Sequence, residues 1–547
     1  MSLKITKHFV TVGQRRVHYL RAGRGPALAM LHASPCSAKV MRPLLQVFGE
    51  RFTCLAFDNP GFGLSDKLAI PQPTIEDFAD ALADTLDALG IEQTAAYGRH
   101  TGASIAVEFA ARHPRRCSMA YADGYAVFSK PYSDEQLDRY LEHIVPVWDG
   151  GHLLRLWFRY RDQHVFWPWN AQDAEHRSDA DVPDAEFLHR GVVELLEAGD
   201  DYRIGYAAPF RHRGLDVLRD LRVPVCFGHR RGDSLYSAHK LYPPSAWVEI
   251  MPRDPGAAAL AERAILERHP AGGEPPAAPA CTSLPGRTTT DYVDIGGAQI
   301  LVRSAGDLTV TAPLLVLHHP PGSSALYDDL LLQCPPALAI DLPGHGESDA
   351  LADDPQDVGT WADMAVKVLD RLGVESFHAY GHNGGAAVAV ELAHRPGRRV
   401  RKLAIDAPCF LDDGQRESLP PRYAPDVTPV WDGSHWLRAW HHARDSELWW
   451  PWFERTNAAA RRSAPRIEPA GLTLRVREAM KQPHSYARSW QAALSYPGRE
   501  RVAALDAEVL EITSERDVFA PLSRGRRLPD ELRSRAEAIR AWLGAPS

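Results

Sequence analysis

Two short turn sequences, each set between an apolar run and an Ala/Val-rich stretch, restrict this chain more than any other feature. Gly98-Arg99-His100-Thr101-Gly102 follows Thr94 to Tyr97, and Gly381-His382-Asn383-Gly384-Gly385 follows Phe377 to Tyr380. The order reads as strand, sharp turn, helix. A glycine at either end suits a strained turn with a helix packed close behind it. A G-x-S-x-G turn in this setting displays a serine at the top of a parallel sheet. Here the central residue is His100 in one copy and Asn383 in the other.

The turns belong to a long repeat. His100/Asn383, Asp58/Asp341, Asp123/Asp406 and Trp167/Trp450 each stand 283 residues apart, and Val147-Trp148-Asp149-Gly150 reappears as Val430-Trp431-Asp432-Gly433. Such a period far exceeds the roughly 20 to 50 residues of a solenoid unit, so the expectation is a duplication of whole domains. A chain of 547 residues is too long for one core, whereas halves of roughly 270 residues are within reach of α/β domains. The expected boundaries are 1–270 and 291–547. Between them, 271–290 carries Pro275, Pro276, Pro279 and Pro285, a composition that reads as a linker.

A net charge of −8 offers no broad basic face for nucleic acid. The seven cysteines lack CxxC or finger spacing, which suggests a reducing cytoplasm. No apolar run approaches the ~20 residues of a membrane span, and the N-terminus lacks a signal-peptide core. The expected partner is a small-molecule substrate, without cofactor, nucleic acid or membrane, and the halves are expected to pack together.

Along the first half, Phe9 to Val12 and Val17 to Leu20 suggest a hairpin, followed by short buried strands at Ala27 to Leu31 and Cys54 to Phe57. A helix follows, with Thr74 as its cap and Phe78, Leu82, Leu86 and Leu89 as its stripe. Met119 to Ala122 then leads to Asp123, and Val225 to Gly228 towards Asp233. The second half repeats the series from Leu314 to Thr513. The fold class is α/β, each half a mostly parallel doubly wound sheet.

These motifs resemble the α/β-hydrolase superfamily, twice over. Besides the turns, the resemblance rests on Leu31-His32-Ala33-Ser34-Pro35-Cys36 and Leu317-His318-His319-Pro320-Pro321-Gly322-Ser323, similar to the family's oxyanion-hole loop. It also rests on the D-x-P-G-x-G-x-S-D strings ending at Asp66 and Asp349. The resemblance implies helical caps, near 127–215 and 410–497, and both stretches are rich in tryptophan. Trp148 and Trp167 are candidates for an apolar pocket, and packing of the cap explains them equally well.

The family's triad runs nucleophile, acid, late histidine. Asp233 and Asp517 stand where the acid is expected, but Met251-Pro252-Arg253-Asp254 in the first half and Ser523 to Pro529 in the second contain no histidine. A serine acyl-enzyme cycle is therefore not expected in either half. His100, at a helix N-terminus whose dipole disfavours imidazolium, would stay neutral and act as a base. Asp123 is expected to orient it, with N–H groups near Ala33 and Thr101 stabilising developing negative charge. His32, His100, Asp123, His229 and Asp233 lack metal-motif spacing, and no metal is expected. Asn383 cannot titrate, which makes the second half the expected non-catalytic copy, with His382 pointing away and His318-His319 serving the loop.

Three functions stand open: an enzyme cleaving a small apolar or aromatic ester, thioester or activated C–C bond with His100 as base; a binding or sensor protein on a degenerate fold; and a scaffold. With no serine in either turn, a fluorophosphonate probe should leave the protein unlabelled. Stoichiometric labelling of any serine, read by mass spectrometry, would reopen the serine route.

Overall fold

The apolar runs before each turn become central strands. The computed structural model describes residues 3–128, 130–397, 399–506, 509–513, 526–527 and 532–544. The first half contains β1 (Ile5–Val12), β2 (Arg15–Ala22), β3 (Ala27–Leu31), β4 (Thr53–Phe57), β5 (Thr94–Arg99), β6 (Cys117–Asp123), β7 (Val225–Arg230) and β8 (Trp247–Met251). Their order in the sheet is β1-β2-β4-β3-β5-β6-β7-β8. The β1–β2 and β2–β4 pairs are antiparallel, and every pairing from β4 to β8 is parallel.

The second half has β9 (Thr289–Asp294), β10 (Gln299–Ala305), β11 (Leu314–Leu317), β12 (Ala337–Ile340), β13 (Phe377–His382), β14 (Val400–Asp406), β15 (Val509–Thr513) and β16 (Arg526–Arg527). Its order, β9-β10-β12-β11-β13-β14-β15-β16, is that of the first sheet. The agreement extends to irregularities. A register shift between Thr94 and Ala96 in β5 has its counterpart between Phe377 and Ala379 in β13. The isolated bridge Phe166–Arg177 likewise matches Trp449–Ala460. Asp517, together with residues 523–525 and 528–529, lies outside the described residues.

The central strands β3 and β4 are buried at every position, as strands covered on both faces by helices must be. One covering helix, Ile75–Ala88, starts with a reciprocal Thr74/Asp77 capping box and buries Phe78, Leu82 and Leu86. Four longer helices lie between β6 and β7 (Asp134–Tyr140, Gly151–Asp162, Ala185–Ala198, Tyr202–Arg211), and a similar set lies between β14 and β15. These are the helical inserts.

By internal contacts the chain forms two units: Met1–Val145 with Arg155–Thr282, and Pro146–Leu154 with Ser283–Ser547. The start of the proline-rich stretch is tied along the first unit. Ala27 N–H donates to Gly273 O at 3.2 Å, the Arg21 guanidinium to Pro276 O at 2.5 Å and the Thr11 hydroxyl to Thr282 O at 2.8 Å. Among the described residues, no helix is long and apolar enough to cross a membrane.

Backbone packs closely against backbone at the turns. A Cβ on Gly98 would come within 2.0 Å of Gly102 O, and one on Gly102 within 2.1 Å of Leu31 O. Gly13, with φ +60°, has nothing within 4 Å of its would-be Cβ. Gly98→Ala should therefore cost about 2–4 kcal/mol through overpacking, and Gly13→Ala only about 1 kcal/mol through backbone strain. Urea unfolding compares the two; equal costs would contradict the packing argument.

Candidate active site

β5 ends at Arg99 and the helix Thr101–Arg112 begins two residues later, so His100 alone makes the turn. Its φ of 50° and ψ of −108° lie where residues with a Cβ are strained. Asn383 has φ 52° at the equivalent place. Backbone hydrogen bonds hold both. His100 N–H donates to Asp123 O at 2.9 Å and accepts Ser104 N–H at its own carbonyl at 3.1 Å, while Asn383 N–H donates to Asp406 O at 2.7 Å.

The His100 side chain meets Asp233, with Nε2 2.9 Å from Oδ2. The other carboxylate oxygen, Oδ1, accepts Leu235 N–H at 2.8 Å. Burial on its own would raise the Asp233 pKa. The charge and hydrogen bond of His100, with Arg99 nearby, outweigh it and hold the carboxyl well below the usual carboxylate range. Gly124 makes room for this pair: a Cβ there would lie 2.7 Å from His100 Cδ2 and 3.0 Å from Nε2. In the second half, where Asn383 replaces the longer histidine, the same position is Ala407.

The expected partnership of His100 with Asp123 is corrected by this geometry. The Asp123 carboxylate faces a different set of groups, accepting Arg230 Nη2 at 2.5 Å and the Tyr97 hydroxyl at 3.4 Å, with Arg99 Nε at 3.4 Å. Arg230 and Tyr97 are shared with buried Glu262, at 3.2 Å each. Burial first, then the Asp123 charge, pushes Glu262 above the usual carboxyl range. Successive side chains of a strand leave on opposite faces, and Asp123, the last residue of β6, joins Tyr97 of β5 in a buried ionic cluster. The acid that reaches the turn comes from the loop after β7.

His32 is a loop residue. Its Nδ1–H donates to Ala33 O at 2.9 Å and its Nε2 accepts Asn59 N–H at 2.9 Å, which fixes one neutral tautomer. His318 makes the same pair of bonds, to His319 O and from Leu342 N–H. The Thr101 hydroxyl accepts Ser34 N–H at 3.4 Å, which pins the Ala33 loop against the start of the helix. His229 Nε2 lies 3.1 Å from the Tyr242 hydroxyl.

Trp148 is 68% exposed and lies in the segment Pro146–Leu154, which groups with the second unit. Trp167 packs within the insert, 5.7 Å from the Tyr140 ring and 6.4 Å from Phe210. His382, expected to point away, lines a cavity beside Asn383 and lies 3.0 Å from the Tyr327 hydroxyl.

Sequence reading missed His164 of the insert, whose pKa is pushed to about 4 by burial, then by Arg99 and His100. No motif spacing announces it. It also missed Gly124, for which comparison with Ala407 at the repeat offset was the available signal.

Among the described residues, Glu76, Glu108 and His212 are the group close enough to share a cation. His212 Nε2 already lies 3.1 Å from Glu108. The matching Glu391 instead pairs with Arg395 and Arg501, so the same helix carboxylate has a different partner in each half.

The chain belongs to the α/β-hydrolase fold family, whose model matches residues 26–173 and 313–435, one segment in each half. Among curated relatives, haloalkane dehalogenase 2 of Mycobacterium tuberculosis (strain ATCC 25618 / H37Rv) is 29% identical over 101 residues, 18% of this chain and 35% of that protein. A soluble epoxide hydrolase of Corynebacterium sp. (strain C12) is 32% identical over 112 residues, 20% of this chain and 38% of that protein. The matches thus span well under half the length of these relatives. The solved E-2-(acetamidomethylene)succinate hydrolase aligns with a TM-score of 0.36 and 19% identity, covering 48% of this chain and 98% of its own.

His442, on the helix Ser434–Asp445, is 1% exposed, and burial pushes its pKa to about 3. Unfolded, it titrates near 6.5. As pH falls below that value the unfolded chain takes up a proton that the folded chain refuses, so folded stability is lost between about 6.5 and 3. The slope is about 1.4 kcal/mol per pH unit. The stability deficit of His442→Gln relative to wild type should accordingly shrink by about 2 kcal/mol between pH 7 and pH 5. Urea titrations at the two pH values check this, and an unchanged deficit would refute it.

Proposed function

We propose that the first half hydrolyses a small apolar or aromatic ester, thioester or activated C–C bond without a serine acyl-enzyme, with His100 as general base. The observation that carries the reading is the 2.9 Å contact between His100 Nε2 and Asp233 Oδ2 at a strained turn. Asp233, held as the carboxylate, accepts Nε2–H and so leaves the Nδ1 lone pair as the basic site. A water beside Nδ1 gives up a proton as its oxygen attacks the substrate carbonyl. The resulting oxyanion is stabilised by N–H groups of Ala33 and Thr101. The proton on Nδ1 then passes to the leaving group, which restores neutral His100.

In this mechanism Asp233 takes the orienting role that sequence reading gave to Asp123. Gly124 is a positioning residue, since any side chain there displaces the imidazole. The two halves are read as a tandem duplication, with chemistry assigned to 1–270 and the region near 271–290 joining it to 291–547.

A panel of p-nitrophenyl esters and thioesters tests the reading. His100→Ala should lower kcat/KM by about 10²- to 10⁴-fold, and Asp233→Asn and Gly124→Ala should lower it in the same direction. Asp123→Asn should instead lower Tm, because it leaves Arg99 and Arg230 short of a buried partner. Full turnover in His100→Ala would overturn the mechanism, and full turnover in Asp233→Asn would remove the dyad from it.

A further inference from the structure

The insert of the first half buries a cation that pairs with no carboxylate among the described residues. Arg159, on the helix Gly151–Asp162, is 3% exposed. Its Nη1 donates to the neutral Gln163 Oε1 at 2.6 Å, while Nε and Nη2 are buried and unbonded. The rings of Trp169 and Tyr202, centred 5.5 and 5.7 Å from its Cζ, meet the charge through their faces. They give Nε–H and Nη2–H no acceptor. A buried charge is costly unless it is both paired and hydrogen-bonded.

The two unbonded nitrogens form one edge of the guanidinium. Nε–H and Nη2–H point the same way and match the two oxygens of a carboxylate. This chain uses that edge elsewhere. Arg112 Nε and Nη2 donate to the two oxygens of Asp80 at 3.0 and 2.7 Å, and Arg155 Nε and Nη2 to those of Glu142 at 3.0 and 2.6 Å. At Arg159 the protein offers the edge no acceptor.

The repeat tells which way this position faces. Arg159 and His164 match His442 and Glu447 at the 283-residue offset. Further along the insert the offset is 284, since the helix Tyr202–Arg211 matches Tyr486–Ser495 and buried Glu194, bonded to Ser37, matches Glu478, bonded to Ser323. Tyr206 therefore matches Trp490. His442, Glu447 and Trp490 line one cavity of about 290 Å³ together with Asn383, the counterpart of His100. By this correspondence Arg159, His164 and Tyr206 stand on the side of the first insert that faces His100. Contacts within the first half agree. The hydroxyl of Tyr160, next to Arg159, lies 3.7 Å from Sγ of Cys36, in the loop that carries Ala33. His164, whose Nε2 is buried and unbonded, is within reach of the charges of Arg99, His100 and Arg159.

We propose that Arg159 binds a carboxylate of the substrate cleaved at His100, so that the ester, thioester or C–C bond broken there belongs to an anionic molecule. The proposal rests on the reading of His100 as base. The carboxylate accepts Nε–H and Nη2–H side by side, which anchors the substrate in the insert while its reacting carbonyl meets the turn. A neutral ester lacks this anchor and reaches the same base with a higher KM.

Two matched pairs test it on the full-length protein. Mono-4-nitrophenyl adipate against 4-nitrophenyl hexanoate puts the charge on the acyl side, and 4-acetoxybenzoate against 4-acetoxybenzamide puts it on the leaving group. At least one acid should exceed its neutral partner about ten- to a hundredfold in kcat/KM, mainly through KM. Arg159→Gln should erase that preference and leave turnover of the neutral partner nearly unchanged. Arg159→Lys, which keeps the charge and loses the paired edge, should retain only part of it. Calorimetry with adipate and 4-hydroxybenzoate, set against their amides, reads the same preference as binding in His100→Ala, so absence of turnover counts against the base and not against Arg159. Acids and neutral partners equal in both turnover and binding, or a preference that survives Arg159→Gln, would overturn the proposal. Should Arg159→Gln lower Tm, Arg159→Lys and the wild-type comparison decide.

Discussion

The strained turn residue that follows the central strand, His100 in one half and Asn383 in the other, is the constraint on which both halves rest. It is held with φ near +50° by backbone hydrogen bonds and by glycines that let the helix press onto the neighbouring strand end. None of those interactions involves the side chain of the turn residue. The backbone must be strained there whatever the side chain is, and the side chain is displayed at the strand ends, where open α/β sheets bind ligands. Fold and chemistry are consequently decoupled at this one position. A histidine and an asparagine occupy it in one chain without any change in sheet order.

The neighbours, in contrast, have adapted to the residue displayed. Gly124 leaves space for an imidazole to reach Asp233, and Ala407 occupies the same place where no imidazole needs it. His164 in one insert is replaced by Glu447 in the other, and with Glu447 come arginines that the first insert lacks. The first site is a His–Asp pair, and the second is a cavity lined by arginine and aromatic side chains. The two halves share a scaffold and differ in the polar and charged side chains at the strand ends.

The buried acids show how the fold limits such changes. Asp58 and Asp341 accept backbone N–H groups from the loops around them, from Ala38 and Leu64 in one half and from Ser324 and Glu347 in the other. Asp123 and Asp406 each pair with a tyrosine of the preceding strand and an arginine. These carboxylates organise loops and strand ends, and their recurrence in both halves fits a structural demand rather than a chemical one.

The amino-acid sequence by itself determined the architecture. The 283-residue offset, the glycine-flanked turns and the short apolar runs are local patterns, and strands, helices and the doubled sheet follow from periodicity and backbone sterics that act over a few residues. It also placed His100 and Asp233 at strand ends. What it could not decide was which acid meets the histidine, because Asp123 and Asp233 are both at the ends of strands beside β5 or one further on, and the choice turns on the direction in which each carboxylate leaves the backbone. Only the tertiary structure aimed Asp123 into a cluster with Arg230 and Glu262 and brought Asp233 to His100. The cavity of the second half was equally hidden: the arginines that line it are scattered from 461 to 535, and only the folding of the chain brings them to one place.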